Sequence, residues 1–167
     1  MAAEGGWLPA GFRAPSRAVV PPHGHLRFLR ADDAAVDFAA IDSSRERLWA
    51  TYGRVWGWPA PDYGLDDTRL SLARHEDASL RGAFFAYGLF DDAERALLAT
   101  VYVDPPARVG GDADVNWWVA EGERAGAVRS TLDVYVPRWI RASWPFSAPR
   151  LIGVDLTWDE WLALPER

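Results

Sequence analysis

The sequence predicts one domain of mixed α/β class, with helices on both faces of a mostly antiparallel sheet. Residues 84–90 and 97–104 are β-rich runs joined by a short polar connection, a pattern typical of an antiparallel hairpin. A third β-rich run, 114–119, is followed by a long amphipathic segment and by a buried run at 151–156. A helical crossover of this kind requires a parallel neighbour, so the sheet is predicted to be mixed.

Composition excludes several classes of function. The chain of 167 residues is 49% apolar and 25% charged, as expected of a globular domain with a substantial core. All 18 basic residues are arginine, which excludes a Schiff-base lysine. The net charge of −6 and the scattered arginines argue against nucleic-acid binding. Because cysteine is absent, disulfides, thiolate zinc sites and cysteine nucleophiles are excluded. His75-Glu76 lacks the second His of a zinc helix, so we expect no metal site.

The N-terminal segment, residues 1–25, is rich in Pro and Gly and is predicted to be an extended arm preceding a domain over 26–167. Trp7, Leu8 and Phe12 could pin the arm to the domain; the alternative is a loose arm. The segment has neither the basic start nor the apolar run of a signal peptide, so we expect a cytoplasmic protein. No stretch approaches the roughly 20 apolar residues of a membrane helix.

The first half of the domain is predicted to be mainly helical. A short strand at 26–30 precedes acidic residues that cap a helix ending near Ile41. Ser43-Ser-Arg-Glu46 has capping-box spacing and predicts the start of a second helix. Residues 53–64 contain three Gly and two Pro and predict a loop. Asp66 or Asp67 then caps a third helix, which ends before Gly82.

Strand alternation assigns faces in the second half of the domain. Val115, Trp117 and Val119 share one face of the third β-rich run, while Asp114, Asn116 and Trp118 share the other. From Arg124 onward apolar residues recur at helical spacing and predict the longest helix. Because Pro137 disfavours a helix interior and the run 131–136 has β-propensity, a strand over 131–136 is the alternative. Thr157-Trp-Asp-Glu160 predicts the capping box of a short terminal helix.

This order of elements carries a family resemblance. Leu26-Arg-Phe-Leu-Arg-Ala-Asp-Asp33, the hairpin, Val115-Asn-Trp-Trp-Val119, Arg124-Ala-Gly-Ala127, the long helix and the last strand resemble the GNAT N-acetyltransferase superfamily. The RimJ/RimL-like branch is the most similar, and the likeness spans residues 26–156. It implies that acetyl-coenzyme A binds where the strands 114–119 and 151–156 splay apart. The family fold usually has two further strands beyond the point where this chain stops, so we expect a C-terminally shortened version.

The resemblance also implies the cofactor-binding residues. They lie on the third strand and at the following helix start: Trp117, Trp118, Val119, Arg124, Ala125, Gly126, Ala127, Val128 and Arg129. Two of them depart from the family pattern, because Ala127 stands where Gly is expected and Arg129 where a small residue is expected. Arg129 could block the groove or pair with phosphate. Glu121 and Glu123 either oppose phosphate binding or are ordinary helix-start acids.

Acetyl transfer to an amine needs a proton acceptor for the amine and an acid for the leaving thiolate. Our candidates are Tyr102, Asn116 and Glu121, with Asp104 and Asp114 as further polar groups on the acceptor side. A late Tyr common in the family is absent, since no Tyr follows position 135. We therefore expect an acetyl-coenzyme A-dependent N-acetyltransferase acting on an amine of a small molecule or peptide. The alternatives are a binding or interaction module without catalysis, and a homodimer completing the sheet edge.

Overall fold

The computed structural model describes residues 6–167, so residues 1–5 of the predicted arm lie outside the described part. Six strands occur in that part: β1 Arg17–Val20, β2 Gly24–Phe28, β3 Phe85–Phe90, β4 Leu97–Asp104, β5 Ala113–Val119 and β6 Pro149–Leu151. The α-helices are α1 Ala34–Ser43, α2 Arg45–Trp56, α3 Leu65–Arg81, α4 Ala125–Ser143 and α5 Trp158–Ala163. None of the helices in these residues is long and apolar enough to cross a membrane.

The strands form one sheet in chain order. Neighbours from β1 to β5 are antiparallel, and β5 pairs with β6 in parallel after the α4 crossover. The predicted mixed, mostly antiparallel sheet is therefore confirmed.

Helices cover both faces of the sheet, as predicted. On one face, Val128, Leu132 and Val136 of α4 join Val115 and Val119 in a buried cluster. On the other face, α1, α2 and α3 pack over a second cluster that includes Trp118. The face assignments along β5 are thus correct, because alternation in a strand buried on both sides places successive side chains in different cores.

Residues 131–136, which the sequence left open between helix and strand, belong to helix α4. The helix runs through Pro137, and the strand predicted as an alternative over 131–136 is wrong. Leu132, Val136 and Ile140 are almost completely buried at intervals of four residues, so tertiary packing of the apolar stripe stabilises the helix despite the proline.

Part of the predicted arm is a strand that the sequence analysis missed. β1 forms a hairpin with β2, and Val20 is fully buried beneath the sheet face that α4 covers. The short Arg17-Ala-Val-Val20 run is flanked by Pro, which obscures its β-propensity. Nearby, the Trp7 indole donates a hydrogen bond to the Gly82 carbonyl, 2.9 Å away. The division of the chain into arm and domain stays a prediction.

Three local predictions were wrong. The Ser43 hydroxyl donates to the Ala40 carbonyl instead of forming a capping box with Glu46. Helix α2 continues to Trp56, so the predicted loop 53–64 begins only at Gly57, whose left-handed backbone (φ 62°) ends the helix. The strand predicted over 151–156 is instead the shorter β6, Pro149–Leu151, because the chain turns at residues 153–155.

Candidate functional site

The parallel pair β5–β6 opens partway along its length. Its last strand pairing joins Val115 to Leu151, and the Ile152 amide donates to the Val115 carbonyl at 2.8 Å. The chain then turns at Gly153, so residues 116–119 of β5 extend without a strand on that side. Two cavities meet at this opening, and Ile152 and Trp158 line both.

The smaller cavity, about 290 Å³, runs along β5 between α2 and α4, and we call it the β5 groove. Trp117, Trp118 and Val119 form one wall, as the sequence predicted for a cofactor site. Arg47 of α2 and Arg129 of α4 also line the groove. Arg129 therefore lies where a bound anion could meet its guanidinium.

The start of α4, the helix whose Arg129 lines the groove, has free backbone donors. Ala125 and Val128 amides are hydrogen-bonded to the Gly122 and Arg124 carbonyls, at 3.1 and 2.9 Å. The amides of Gly126 and Ala127 have no such partner within residues 6–167. Free amides and the helix dipole make this end attractive to an anion. A Cβ at Gly126 would meet no atom within 4 Å, and Ala127 is exposed, so neither residue crowds the approach.

Other predicted cofactor residues point elsewhere. The Arg124 guanidinium lies 3.4 Å from the carbonyl of His23, in the turn between β1 and β2. The Val128 side chain is buried in the core under α4, and Ala125 packs against the same core. None of these three residues lines the groove.

Glu121 is bound at the edge of the β5 groove rather than facing an acceptor. Its carboxylate forms an ion pair with Arg47, and its backbone amide donates to the Ser44 hydroxyl at 2.8 Å. The ion pair neutralises the charge that could have opposed an anion. Glu121 does not line the larger cavity described next.

The larger cavity has a volume of about 450 Å³ and lies between the sheet and α1, α2, α3 and α5. We call it the aromatic cavity, because its lining includes Trp56, Trp58, Tyr63, Phe84, Tyr102, Trp158 and Trp161. The Trp56 and Trp158 rings meet edge to face at 5.4 Å, and Trp158 meets Trp161 similarly at 5.5 Å. The many tryptophans of the sequence therefore form cavity walls as well as core.

Two predicted catalytic candidates line the aromatic cavity. The Tyr102 hydroxyl accepts a hydrogen bond from the Trp118 indole at 3.3 Å, and Asn116 accepts one from the Tyr52 hydroxyl at 3.0 Å. Tyr102 and Asn116 are paired across β4 and β5, which explains why alternation brings them to one face. Burial raises the pKa of Tyr102 and of Tyr52, so both hydroxyls are neutral donors near pH 7.

Three carboxylates also line the aromatic cavity, and they differ in their partners. Asp114 accepts hydrogen bonds from Arg150 at 2.7 Å and from the Trp161 indole at 3.1 Å. Asp37 and Asp104 accept none from any described residue. Burial raises the pKa of Asp37 to about 7, with a further contribution from the charge of Asp33. Burial, helped by the Asp114 charge, raises the pKa of Asp104 to about 7 as well.

The sequence analysis missed Asp37 and His75. Burial, together with the charge of Arg74, lowers the pKa of His75 to about 4, so the imidazole is neutral near pH 7. Its Nδ1 is buried without a hydrogen-bond partner among the described residues. Asp37 could have been found from spacing, because it shares a helix face with the buried Ala34 and Ile41. No cluster of acidic and histidine side chains in residues 6–167 could hold a metal ion.

No protein-family model matches the sequence, and no curated protein resembles it significantly. Solved structures do resemble the fold. A probable acetyltransferase is 15% identical, covering 81% of this chain and 72% of its own, with a TM-score of 0.63. The ribosomal L7/L12 alpha-N-protein acetyltransferase RimL, in complex with coenzyme A, is 14% identical over 75% of this chain and 68% of its own (TM-score 0.58).

A third similar structure is the Microcin C7 self-immunity acetyltransferase MccE in complex with acetyl-CoA and AMP. It is 11% identical over 78% of this chain and 70% of its own, with a TM-score of 0.57. These likenesses confirm the predicted GNAT-like fold.

Proposed function

We propose that this protein is an acyl-coenzyme A-dependent N-acetyltransferase that acts on an amine of a small molecule or peptide. The observation that carries the proposal is the opening of β5 and β6 beyond Val115, which leaves a groove lined by Trp117, Val119 and Arg129. RimL and MccE, which share the fold, were solved with coenzyme A and acetyl-CoA respectively. Acetyl-coenzyme A is accordingly the proposed cofactor.

The β5 groove has the chemistry that such a cofactor requires. Trp117 and Val119 offer apolar surface to a pantetheine arm, while the Arg129 guanidinium offers donors to phosphate. The small-residue pattern expected of the family is altered at position 129. Its arginine supports binding through charge where the family relies on close backbone approach.

The aromatic cavity supplies groups for proton transfer beside the groove. When bound, acetyl-coenzyme A supplies an acyl thioester whose carbonyl carbon gains a C–N bond as the C–S bond breaks. An acceptor ammonium must lose one proton before attack and another as the amide forms, while the departing sulfur takes up one. Asp37 and Asp104, with pKa values of about 7, are suited to accept a proton from the ammonium. Tyr102 and Asn116 are positioned to orient the amine.

Calorimetric titration with acetyl-coenzyme A tests the proposal. Replacing Arg129 with Ala should weaken binding about tenfold, since a charge-assisted hydrogen bond contributes about 1.5 kcal/mol or more. Arg124→Ala is the matched control: it removes an arginine from the same helix start, but one directed at His23, and should leave affinity unchanged. Absence of binding to the folded protein would contradict the proposed function.

A second candidate function is a binding or interaction module that keeps the fold without acetyl transfer. It is favoured by Ala127 and Arg129 in the cofactor loop and by the absence of any Tyr after position 135. Acetyl-coenzyme A binding without turnover of any amine in a broad panel would support this candidate. Acetylation of one amine would contradict it.

A homodimer, a cytoplasmic location and the absence of nucleic-acid binding remain predictions from the sequence. For the homodimer, the relevant surface is the sheet edge, which β1 forms on one side and the three-residue β6 on the other. Analytical ultracentrifugation distinguishes a dimer from a monomer of 18.6 kDa.

A further inference from the structure

The aromatic cavity has more acidic than basic side chains in its lining. Its lining includes three carboxylates and no arginine. Asp114 is compensated by Arg150, whereas Asp37 and Asp104 have no hydrogen-bond or ion-pair partner in the described part of the chain. Asp37 is only 5% exposed. Burying a carboxylate without a partner is costly, so the buried Asp37, with the partly exposed Asp104 in the same cavity, points to a cationic ligand.

The walls of the cavity favour the same kind of ligand. Trp56, Trp58 and Trp158 approach from α2, the following loop and α5, and Trp56 and Trp158 stand at an interplanar angle of 72°. Tyr63 meets Trp58 at 86°, closing another corner. Aromatic rings that line a cavity can attract an ammonium group through the negative potential of their faces.

The size of the cavity limits the body that carries the charge. A volume of about 450 Å³ lies in the range of sites for small organic molecules. Asp37 and Ile41 of α1, Leu72 and His75 of α3, and Trp161 of α5 line it together with the sheet. A compact ligand fits a cavity of this volume better than the extended backbone of a peptide.

The cavity also lies next to the proposed cofactor site. Ile152 and Trp158 line both the aromatic cavity and the β5 groove, and the Trp118 indole on the groove wall bonds the Tyr102 hydroxyl on the cavity wall. An amine held in the cavity would therefore face the end of the groove where the strands part.

We propose that the aromatic cavity binds a compact organic cation, a primary amine on a ring-sized apolar body, with Asp37 and Asp104 as its counter-ions. As an assignment of the acceptor, this rests on the proposed acetyltransferase function. As a binding site, it stands on the cavity itself and can be tested without acetyl-coenzyme A.

The test is a titration of the full chain, without cofactor, with 2-phenylethylamine as the probe and tryptophan fluorescence and calorimetry as readouts. The neutral 2-phenylethanol and the anionic phenylacetate are probes of similar shape. We expect the amine to bind about tenfold or more tightly than the alcohol, because only the ammonium gains ion pairs and cation–π contacts. Phenylacetate should not bind. Equal affinity for the amine and the alcohol would overturn the proposal.

Three variants locate the site. Asp37→Asn and Asp104→Asn should each weaken amine binding about tenfold and leave alcohol binding unchanged, since only the charge is removed. Asp32→Asn removes an exposed carboxylate just before α1 and should have no effect. Circular dichroism checks that each variant is folded. If folded Asp37→Asn and Asp104→Asn both retain full affinity for the amine, the counter-ion assignment is wrong.

Two further outcomes separate this inference from the proposed function. Amine binding in a protein that fails to bind acetyl-coenzyme A would keep the cation site and contradict the acetyltransferase. Acetyl-coenzyme A binding in a protein that binds no organic amine would keep the acetyltransferase and contradict the cation site. If a short peptide bound through its N-terminal amine more tightly than 2-phenylethylamine does, the assignment of a compact ligand would be overturned.

Discussion

At the residue scale, Asp37 shows how burial changes what a carboxylate can do. Near the surface an aspartate is ionised at neutral pH and contributes little. Asp37 has almost no contact with solvent and no compensating partner among residues 6–167, and its pKa lies near 7. Such a group is poised to exchange a proton at the pH of the cell, which suits it to receive one from an ammonium.

Replacing Asp37 with Asn should stabilise the free protein at alkaline pH. Folded Asp37 keeps its proton up to about pH 7, whereas in the unfolded chain it ionises near its ordinary value. The free energy of unfolding of the natural protein therefore falls as the pH rises through this window. Asn cannot ionise, so the variant should gain roughly 1 to 4 kcal/mol above the window and nothing below it.

Urea denaturation of both proteins at about pH 4 and about pH 8 measures the difference. His75, whose pKa is lowered to about 4, makes the natural protein less stable as the pH falls below its ordinary value. That contribution is present in both proteins and cancels in the comparison. A stability difference that is the same at both pH values would show that Asp37 is not held in its protonated form.

Membership of the candidate site could be predicted for residues whose direction followed from strand alternation. Tyr102 and Asn116 were selected as candidates because alternation presents them on one face, and they meet across β4 and β5. His75 could not be recognised as a cavity residue, because the burial of its ring depends on how helix α3 packs. The ring meets Phe84, just before β3, and Tyr102 of β4 edge to face.

At the element scale, a helix cap could be predicted from the sequence only where its hydrogen bonds join residues close together in the chain. The Thr157 hydroxyl accepts from the Glu160 amide at 3.2 Å, and the Glu160 carboxylate accepts from the Thr157 amide at 2.7 Å, as the spacing predicted. The box predicted at Ser43 failed because Ser44 takes the position before α2 and its hydroxyl is used by Glu121, 77 residues away. A tertiary bond can therefore displace a local one.

The start of β2 depends on a glycine. Gly24 has φ of +142°, and a Cβ there would lie 1.9 Å from the Phe90 carbonyl oxygen. We expect Gly24→Ala to lower the free energy of unfolding by about 2 kcal/mol or more, because β2 would have to shift away from β3. Chemical denaturation measures the loss.

Gly126→Ala is the control for this substitution. A Cβ at Gly126 has open space, and alanine favours a helix over glycine by about 1 kcal/mol, so this variant should be as stable as the natural protein or more so. Equal stability of the Gly24 and Gly126 variants would mean that β2 can move away from β3 at little cost.

At the scale of the whole molecule, two cavities of different chemistry meet where strands β5 and β6 part after Val115. The aromatic cavity has three carboxylates and no arginine in its lining, whereas the β5 groove has Arg47, Arg129 and Asp133. Ile152 and Trp158 line both cavities.

Two ligands should therefore stabilise the protein together. Acetyl-coenzyme A at about 100 times its dissociation constant should add about 2.7 kcal/mol and raise the Tm by roughly 5 to 10 °C. An organic amine added at the same saturation should contribute a further rise, since the cavities share only Ile152 and Trp158. Differential scanning calorimetry measures both increments. If the second ligand adds nothing, the two ligands compete for one site.

The sequence by itself determined the fold class, the sheet order around the crossover and the candidate cofactor strand. These follow from hydrophobic periodicity and from the rule that a helical crossover joins parallel strands. Only the tertiary structure decided which arginine lines the groove, Arg129 rather than Arg124, and which carboxylates stay without partners. Side-chain direction, burial and charge compensation depend on residues distant in the chain, and no local pattern encodes them.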